Sequence, residues 1–211
     1  MGTVSLPVLS AAWLGYGLLH SLLASLAAKR RLAARWPRLM PAYRLLYNGV
    51  ALAALIPMMV WLLRDSGPFL WRWTGPAAWV ANALGLAALA ALLIPGSPYD
   101  TAAFLGWRAW RKGRADGVDA EPFRVGTLHR FVRHPWYTLS LLMLWTRDMT
   151  SLRVVSAGWI TAYIVIGSRL EEGKLIHFYG DRYRRYRTRV AAFVPLPWKI
   201  LSPAEARDLE G

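Results

Sequence analysis

Two stretches decide how this chain is read. They are Arg133-His134-Pro135-Trp136-Tyr137 and Glu171-Glu172-Gly173-Lys174-Leu175-Ile176-His177-Phe178-Tyr179-Gly180-Asp181-Arg182-Tyr183-Arg184-Arg185-Tyr186. Between them lie two apolar segments, residues 135–146 and 154–168, joined by the charge-bearing residues 147–153. Charges at the join must reach water or lipid headgroups, so the two apolar legs read as a helical hairpin that enters a membrane and returns. The return brings His134 and Glu171 to one membrane face. A histidine, an arginine and two carboxylates where lipid meets water are costly unless paired or used, which makes this cluster the first functional candidate.

Composition agrees with a membrane setting. The 211 residues are 55% hydrophobic, with 12 Trp and no Cys. Such a chain, with several long uncharged runs, is expected to be an all-α polytopic membrane protein forming one integral-membrane domain over residues 1–211. Its length suits about five spans of about 20 residues each. Without Cys there is no disulfide framework, no Cys-ligated metal and no Cys nucleophile. The net charge of +14 raises the possibility of nucleic acid. The Lys and Arg instead cluster at the ends of apolar runs, as juxtamembrane charge does, so membrane lipids are the expected partner and nucleic acid is not. Residues 1–28 lack a basic start and their apolar run is long enough to span, so no cleavable signal peptide is expected.

In chain order, the expected spans are residues 6–28, 45–63, about 76–94, and the two hairpin legs. Gly67-Pro68 marks a turn, and Trp71, Trp73 and Trp79 are placed to anchor at an interface. Pro95-Gly96-Ser97-Pro98 ends the third span. Residues 99–113 mix Trp107 and Trp110 with Arg108, Arg111 and Lys112, which suits a helix lying along the membrane surface. Residues 114–121 read as a polar loop. The first leg of the hairpin is short, 12 residues or about 18 Å against a hydrocarbon core of about 30 Å, so it must be partly buried in protein or carry Arg147 and Asp148 into a polar pocket. Twenty-two of the 26 Lys and Arg fall in residues 29–44, in residues 97–134 or from Arg169 onward; Arg64, Arg72, Arg147 and Arg153 lie on the other side. The positive-inside rule then puts the N-terminus outside and the C-terminal tail in the cytoplasm. Residues 168–179 are expected to continue the last span out of the bilayer. Gly180 is expected to break that helix and Asp181 to cap the next. In that piece Tyr183, Tyr186 and Val190 share one face, and arginines fill the other positions.

At these motifs the chain resembles the isoprenylcysteine carboxyl methyltransferases and the wider integral-membrane methyltransferases that include phospholipid N-methyltransferases. The pattern is Arg-His-Pro-x-Tyr, a hairpin, then Glu-Glu, the Gly-x-x-Tyr-x-x-Tyr run and a later Pro, over roughly the last third of the chain. The first half narrows the likeness. His20-Ser21-Leu22-Leu23-Ala24-Ser25, Tyr43-Arg44-Leu45-Leu46-Tyr47-Asn48, Asp100-x-x-x-Phe104-Leu105-Gly106-x-Arg108 and Met149-Thr150 are similar to NnrU-type proteins and methanethiol S-methyltransferases. The resemblance implies S-adenosyl-L-methionine as cofactor, a small-molecule or lipid-like methyl acceptor, and no metal. Methyl transfer from a sulfonium needs alignment more than acid–base chemistry. The donor pocket then needs carboxylates for amino or ribose groups and cationic or backbone donors for a carboxylate.

On this resemblance Glu171 and Glu172 belong to the donor site. Read from the residues alone, they are helix-surface acids paired with Arg169 or Lys174. Arg133, His134 and Tyr137 are the catalytic candidates; His134 either bonds the donor or orients the acceptor, and otherwise ties down a loop ahead of Pro135, itself well placed at a helix start. Gly126 allows close approach of backbone to ligand. Tyr183 and Tyr186 either cover the adenosine or pack the tail. His177 reads as an interfacial side chain. His20, Asn48 and Arg108 are the acceptor-site candidates, although His20 within a span is equally a hydrogen-bonding residue, to Asn48 or Asn82. Two departures from the family pattern stand out. Leu128 occupies a position where the family often has Tyr, and Leu139 one where it often has Gly. A thiol acceptor suits the cluster, because a thiolate is a strong nucleophile and nearby Arg favours the ionised form. The alternatives are a nicotinamide-dependent reductase of the sterol-reductase type, and a non-enzymatic membrane accessory protein of the same fold.

Overall fold

A computed structural model describes residues 5–93, 105–113 and 123–210. Its helices are α1 (Leu6–Ala24), α2 (Leu26–Arg35), α3 (Tyr43–Leu63), α4 (Gly75–Leu93), α5 (Trp107–Lys112), α6 (Pro135–Trp145), α7 (Ser151–Tyr179), α8 (Asp181–Arg189) and α9 (Pro203–Glu210). Two short strands, β1 (Phe69–Trp71) and β2 (Met149–Thr150), pair with each other. The expected turn at Pro95-Gly96-Ser97-Pro98, residues 99–104 of the surface segment 99–113 and the loop 114–121 lie outside the described residues. Among the described residues four helices are long and apolar enough to cross a membrane: Leu6–Ala24, Pro37–Leu63, Gly75–Leu92 and Ser151–Tyr179. The protein is an all-α, multi-pass membrane protein. The short hairpin leg is the 11-residue α6, about 16 Å long.

The chain divides into two compact units. The first takes Met1–Leu70, Tyr99–Val118 and Met149–Trp159. Here the expected 6–28 span is corrected, because α1 stops at Ala24. Ser25 adopts an extended backbone and its hydroxyl accepts from the Ala28 N–H, so it starts α2 instead of continuing α1. Serine competes with the helix for just such a local hydrogen bond, and hydropathy alone does not register it. In this unit α1 packs on α3, with Leu9 fully buried and the Trp13 indole donating to the buried Ser156 hydroxyl at 2.9 Å. Gly106 has φ +87°, and a Cβ there would lie 2.6 Å from the Arg44 side chain, so glycine lets this backbone close on the start of α3.

The second unit takes Trp71–Pro98, Asp119–Asp148 and Ile160–Gly211. In it α6 lies against α4. At the far end of α6, Arg147 reaches back onto α4 and donates to the Asn82 side chain and the Ala81 carbonyl, both at 3.2 Å. Asp148 accepts the Trp73 N–H at 3.0 Å. Both charges of the short leg are thus hydrogen-bonded, as the length argument required. The long helix α7 merges the expected span 154–168 with its extension to Tyr179. Gly180 breaks it at φ +56°. Gly180 also caps α8, so Asp181 is the first helical residue and not the cap; its carboxylate pairs with Arg184 at 2.7 Å. Glycine takes the left-handed turn at no steric cost, which moves the cap one residue earlier. Tyr183, Tyr186 and Val190 share the buried face of α8, within a core that also holds Phe123, Val125, Leu201, Ala206 and Leu209.

Candidate functional site

His134 precedes a proline, which excludes helical backbone at its own position and starts α6 at Pro135. The strand-like run before it makes a parallel bridge between Val132 and Ala191. The Arg133 and His134 N–H groups donate to the carbonyls of Ala191 and Ala192 at 2.8 and 3.1 Å. The Thr138 hydroxyl bridges the His134 and Phe193 carbonyls at 3.1 and 2.8 Å. Backbone bonds therefore hold the motif in place before any side chain is considered.

Glu172 is the hub of the side chains. One of its oxygens, Oε1, accepts from Arg133 Nε at 2.7 Å and lies 3.0 Å from His134 Nε2. Arg133 also donates to the carbonyls of Arg187, at 3.0 Å, and Val190. His134 is 6% exposed and Glu172 8%. At this burial an unpaired charge would cost several kcal/mol, and the arrangement satisfies each one. Glu171 differs. Its side chain is 48% exposed, its Oε2 lies 3.7 Å from His134 Nδ1, and the Tyr137 hydroxyl donates to it across a long 3.4 Å. The His134 ring stacks on Tyr137 and meets Phe193 at a tilt, both at 5.5 Å between centroids. His134 thus faces one buried and one open carboxylate.

The neighbours of this cluster shift accordingly. Burial and the Glu172 charge push the Tyr183 hydroxyl well above the usual phenol range. Burial, reinforced by His134, lowers His129 to about 4. The carbonyl of His129 accepts the Tyr186 hydroxyl at 2.7 Å.

The structure brings Arg133, His134, Pro135, Tyr137, Glu171 and Glu172 together. Tyr183 and Tyr186 are each 3% exposed, with their rings against Phe123 in the core. Gly126 is half-buried in the loop after Val125. His177 is exposed and touches Phe178 edge-on. His20, Asn48 and Arg108 belong to the other unit. There the Tyr47 hydroxyl sits 2.5 Å from His20 Nε2, while Asn48 donates to the Leu105 carbonyl at 3.2 Å, and the exposed Arg108 lies on α5. The hydrogen bond anticipated for His20 therefore goes to Tyr47, whose longer side chain reaches farther than an asparagine. Residue-by-residue reading missed Phe193, Thr138, the carbonyls at 187–192 and all of α9. Only α9 carries a sequence signal: Ser202-Pro203-Ala204-Glu205 is a capping box, realised by Ser202 N–H to Glu205 at 2.8 Å and Glu205 N–H to Ser202 at 3.2 Å. Among the described residues no group of three or more His, Cys, Asp or Glu is placed to hold a metal ion.

Fold and site together define a multi-pass helical membrane protein with a buried Arg–His–Glu cluster at the base of a short hairpin. Comparison with known proteins takes the assignment further. Methanethiol S-methyltransferase 2 of Bradyrhizobium diazoefficiens is 31% identical over 185 residues, 85% of this chain and 69% of its own length. Methanethiol S-methyltransferase of Mycobacterium tuberculosis is 30% identical over 186 residues, 84% of this chain and 73% of its own length. Methanethiol S-methyltransferase 1 of B. diazoefficiens matches more locally, 39% over 82 residues, which covers 37% of this chain and 29% of that protein. The chain belongs to the methanethiol S-methyltransferase family of membrane methyltransferases. It spans about 70% of the relatives that align along most of its length, and under a third of the one matched locally. No family model and no solved structure matches it.

Proposed function

We propose that this protein transfers a methyl group from S-adenosyl-L-methionine to a small thiol at the cytoplasmic face of a bacterial inner membrane. The observation that carries the reading is the contrast between the two carboxylates. Glu172 is fully engaged in fixing Arg133 and His134, while Glu171 sits half-exposed beside the same histidine. A fixed guanidinium and imidazole next to an available carboxylate suit a zwitterionic amino-acid moiety. Glu171 would hold its ammonium group or the ribose hydroxyls, Arg133 and His134 would face its carboxylate, and Tyr137 would line the same opening. Gly126 and Pro135 shape the backbone around it, and Tyr183 and Tyr186 support it from the core.

S-adenosylmethionine supplies, when bound, a methyl already activated on a sulfonium. The residues then have to align the acceptor and favour its ionised form. With Glu171, Arg133, His134 and Tyr137 holding the donor, the chemistry it would supply is transfer of its methyl to a thiolate sulfur, leaving S-adenosylhomocysteine, with the thiol proton passing to water. The Arg133 guanidinium is the group that would favour thiolate over thiol. The names of the relatives support methanethiol or a thiol of similar size as the acceptor.

Calorimetry of the purified protein with S-adenosylhomocysteine and, separately, with NADPH tests the donor. Binding of the first and not the second is expected. Binding of NADPH alone would favour the reductase alternative, and binding of neither an accessory role.

A further inference from the structure

The chain after α8 runs along the first turn of α6. The Thr138 hydroxyl on that turn donates to the Phe193 carbonyl at 2.8 Å, and Pro195 borders the same groove as Pro135 and Leu139. α6 carries no charged residue from Pro135 to Trp145, so its first turn marks the height at which the hairpin enters the apolar layer. Next to Pro195 in the chain, Val194 is 66% exposed, and a few positions on Trp198 is 77% exposed. A tryptophan so placed suits a membrane interface, where its ring sits at headgroup level.

α8 brings charge to the same place. Its sequence, Asp181-Arg182-Tyr183-Arg184-Arg185-Tyr186-Arg187-Thr188-Arg189, sets five arginines against one aspartate. Tyr183 and Tyr186 are buried and every arginine is exposed. Arg184 pairs with Asp181 and Arg189 with Glu205, while Arg182 donates to the Glu210 carbonyl at 3.4 Å. Among the described residues no carboxylate pairs with Arg185 or Arg187. They lie about 7.5 and 4.5 Å of helix rise before Val190, where α8 ends. An arginine run alone is an ordinary solvated face. This one leads into outward apolar side chains at the membrane surface, and cations beside an apolar anchor fit a layer of lipid headgroups. Nucleic acid would neutralise the arginines but leave Val194 in water.

We infer that the exposed face of α8 and the run after it form a docking surface for anionic phospholipids, and that docking tightens the donor site. Arg185 and Arg187 take the phosphates, and Val194 and Trp198 enter the interface. The second half of the inference rests on the donor-site reading above. Arg133 donates to the carbonyls of Arg187 and Val190, and the His134 N–H to that of Ala192. One short run thus carries both the lipid contacts and the carbonyls that fix the cluster. Coupling between two sites is reciprocal and typically amounts to about 5- to 150-fold in affinity.

The test uses the full-length protein in nanodiscs of phosphatidylcholine alone and of phosphatidylcholine with phosphatidylglycerol. The chain has no Cys, so Val194→Cys carries a single nitroxide label whose depth in the bilayer can be read. S-adenosylhomocysteine affinity is measured on unlabelled protein. With phosphatidylglycerol the label is expected to lie deeper and the donor analogue to bind about fivefold tighter or more. Arg185→Gln combined with Arg187→Gln should remove most of both changes. A label in water in both discs would overturn the docking surface, as would equal depth and equal affinity in the two lipids. A deeper label with unchanged affinity would overturn the coupling. Affinity lost by the same factor in both lipids in the double variant would overturn the inference, by assigning the arginines to the fold. Glycerol phosphate that reproduces the gain in phosphatidylcholine discs would overturn it too, in favour of a soluble-anion site. Protein that binds no S-adenosylhomocysteine in either disc would remove the donor reading, and the label depth would still decide the docking.

Discussion

At the scale of single residues, the proposed roles of the two adjacent glutamates separate stability from binding. Glu172→Gln leaves Arg133 and His134 buried beside a neutral amide. Breaking a buried pair from one side typically costs about 3–5 kcal/mol, so a large fall in thermal stability is expected. Glu171→Gln removes a half-exposed charge and should barely change stability, while weakening S-adenosylhomocysteine about 10- to 150-fold if it makes one charge-assisted hydrogen bond to the donor. Thermal unfolding and calorimetry on the two variants check this; equal behaviour would mean that the glutamates do not divide the work. His129 gives a pH test. Its ordinary value lies near 6.5 and burial beside His134 lowers it to about 4. The unfolded chain therefore takes up the proton first as pH falls. Stability is full above pH 6.5 and declines between 6.5 and 4, by roughly 1–3 kcal/mol for a half-buried ring. His129→Gln should flatten that part of the profile. The same slope in both proteins would clear His129 as its cause. Arg133, His134 and the two glutamates were legible in sequence as a cluster. That the two glutamates point about 100° apart, one to a pocket and one to an arginine, was legible as well; which of them turns inward was not, because neighbouring positions on one helix carry no signal that ranks them.

At the scale of elements, the boundaries that local chemistry sets could be read in advance. Pro135 starts α6 and Gly180 ends α7 as their residue types dictate. The break at Ser25 and the cap at Gly180 needed backbone dihedral angles. The unanticipated element is α9, which makes α8 a fixed wall. Leu201, Ala206 and Leu209 bury themselves against Tyr183 and Tyr186, Glu210 accepts the Val125 N–H at 2.6 Å, and Arg189 pairs with Glu205. Removing residues 197–210 should loosen α8, expose its arginines to trypsin under native conditions and weaken donor binding through Arg133, which loses the firm carbonyls of Arg187 and Val190. A truncated protein as trypsin-resistant as the full chain would show that α8 stands without this support. Ser202→Ala should cost only about 1 kcal/mol, the usual worth of a cap.

At the scale of the whole molecule, charge asymmetry is the ground for the proposed topology, with the N-terminus outside and the tail cytoplasmic. Reporter fusions at Gly67 and Gly113 should report opposite compartments; the same compartment for both would overturn it. Hydropathy made the four long helices legible, but the short α6 falls below what such a scan detects and was found through the two motifs flanking it. The carbonyls that bind Arg133 also bear on biosynthesis. They lie 54 and 57 residues farther along the chain than the arginine itself. At about 5–20 residues per second, a ribosome needs roughly 3 to 11 s to supply them after Arg133 has been made. The arginine's carboxylate partner Glu172 comes earlier, 39 residues after the arginine, so until then Arg133 has no opposite charge to pair with and waits in water or among headgroups. The Arg133–His134–Glu172 cluster is therefore completed late, after the long apolar helices have been made, and a ribosome that stalls before Val190 leaves the arginine without its carbonyls.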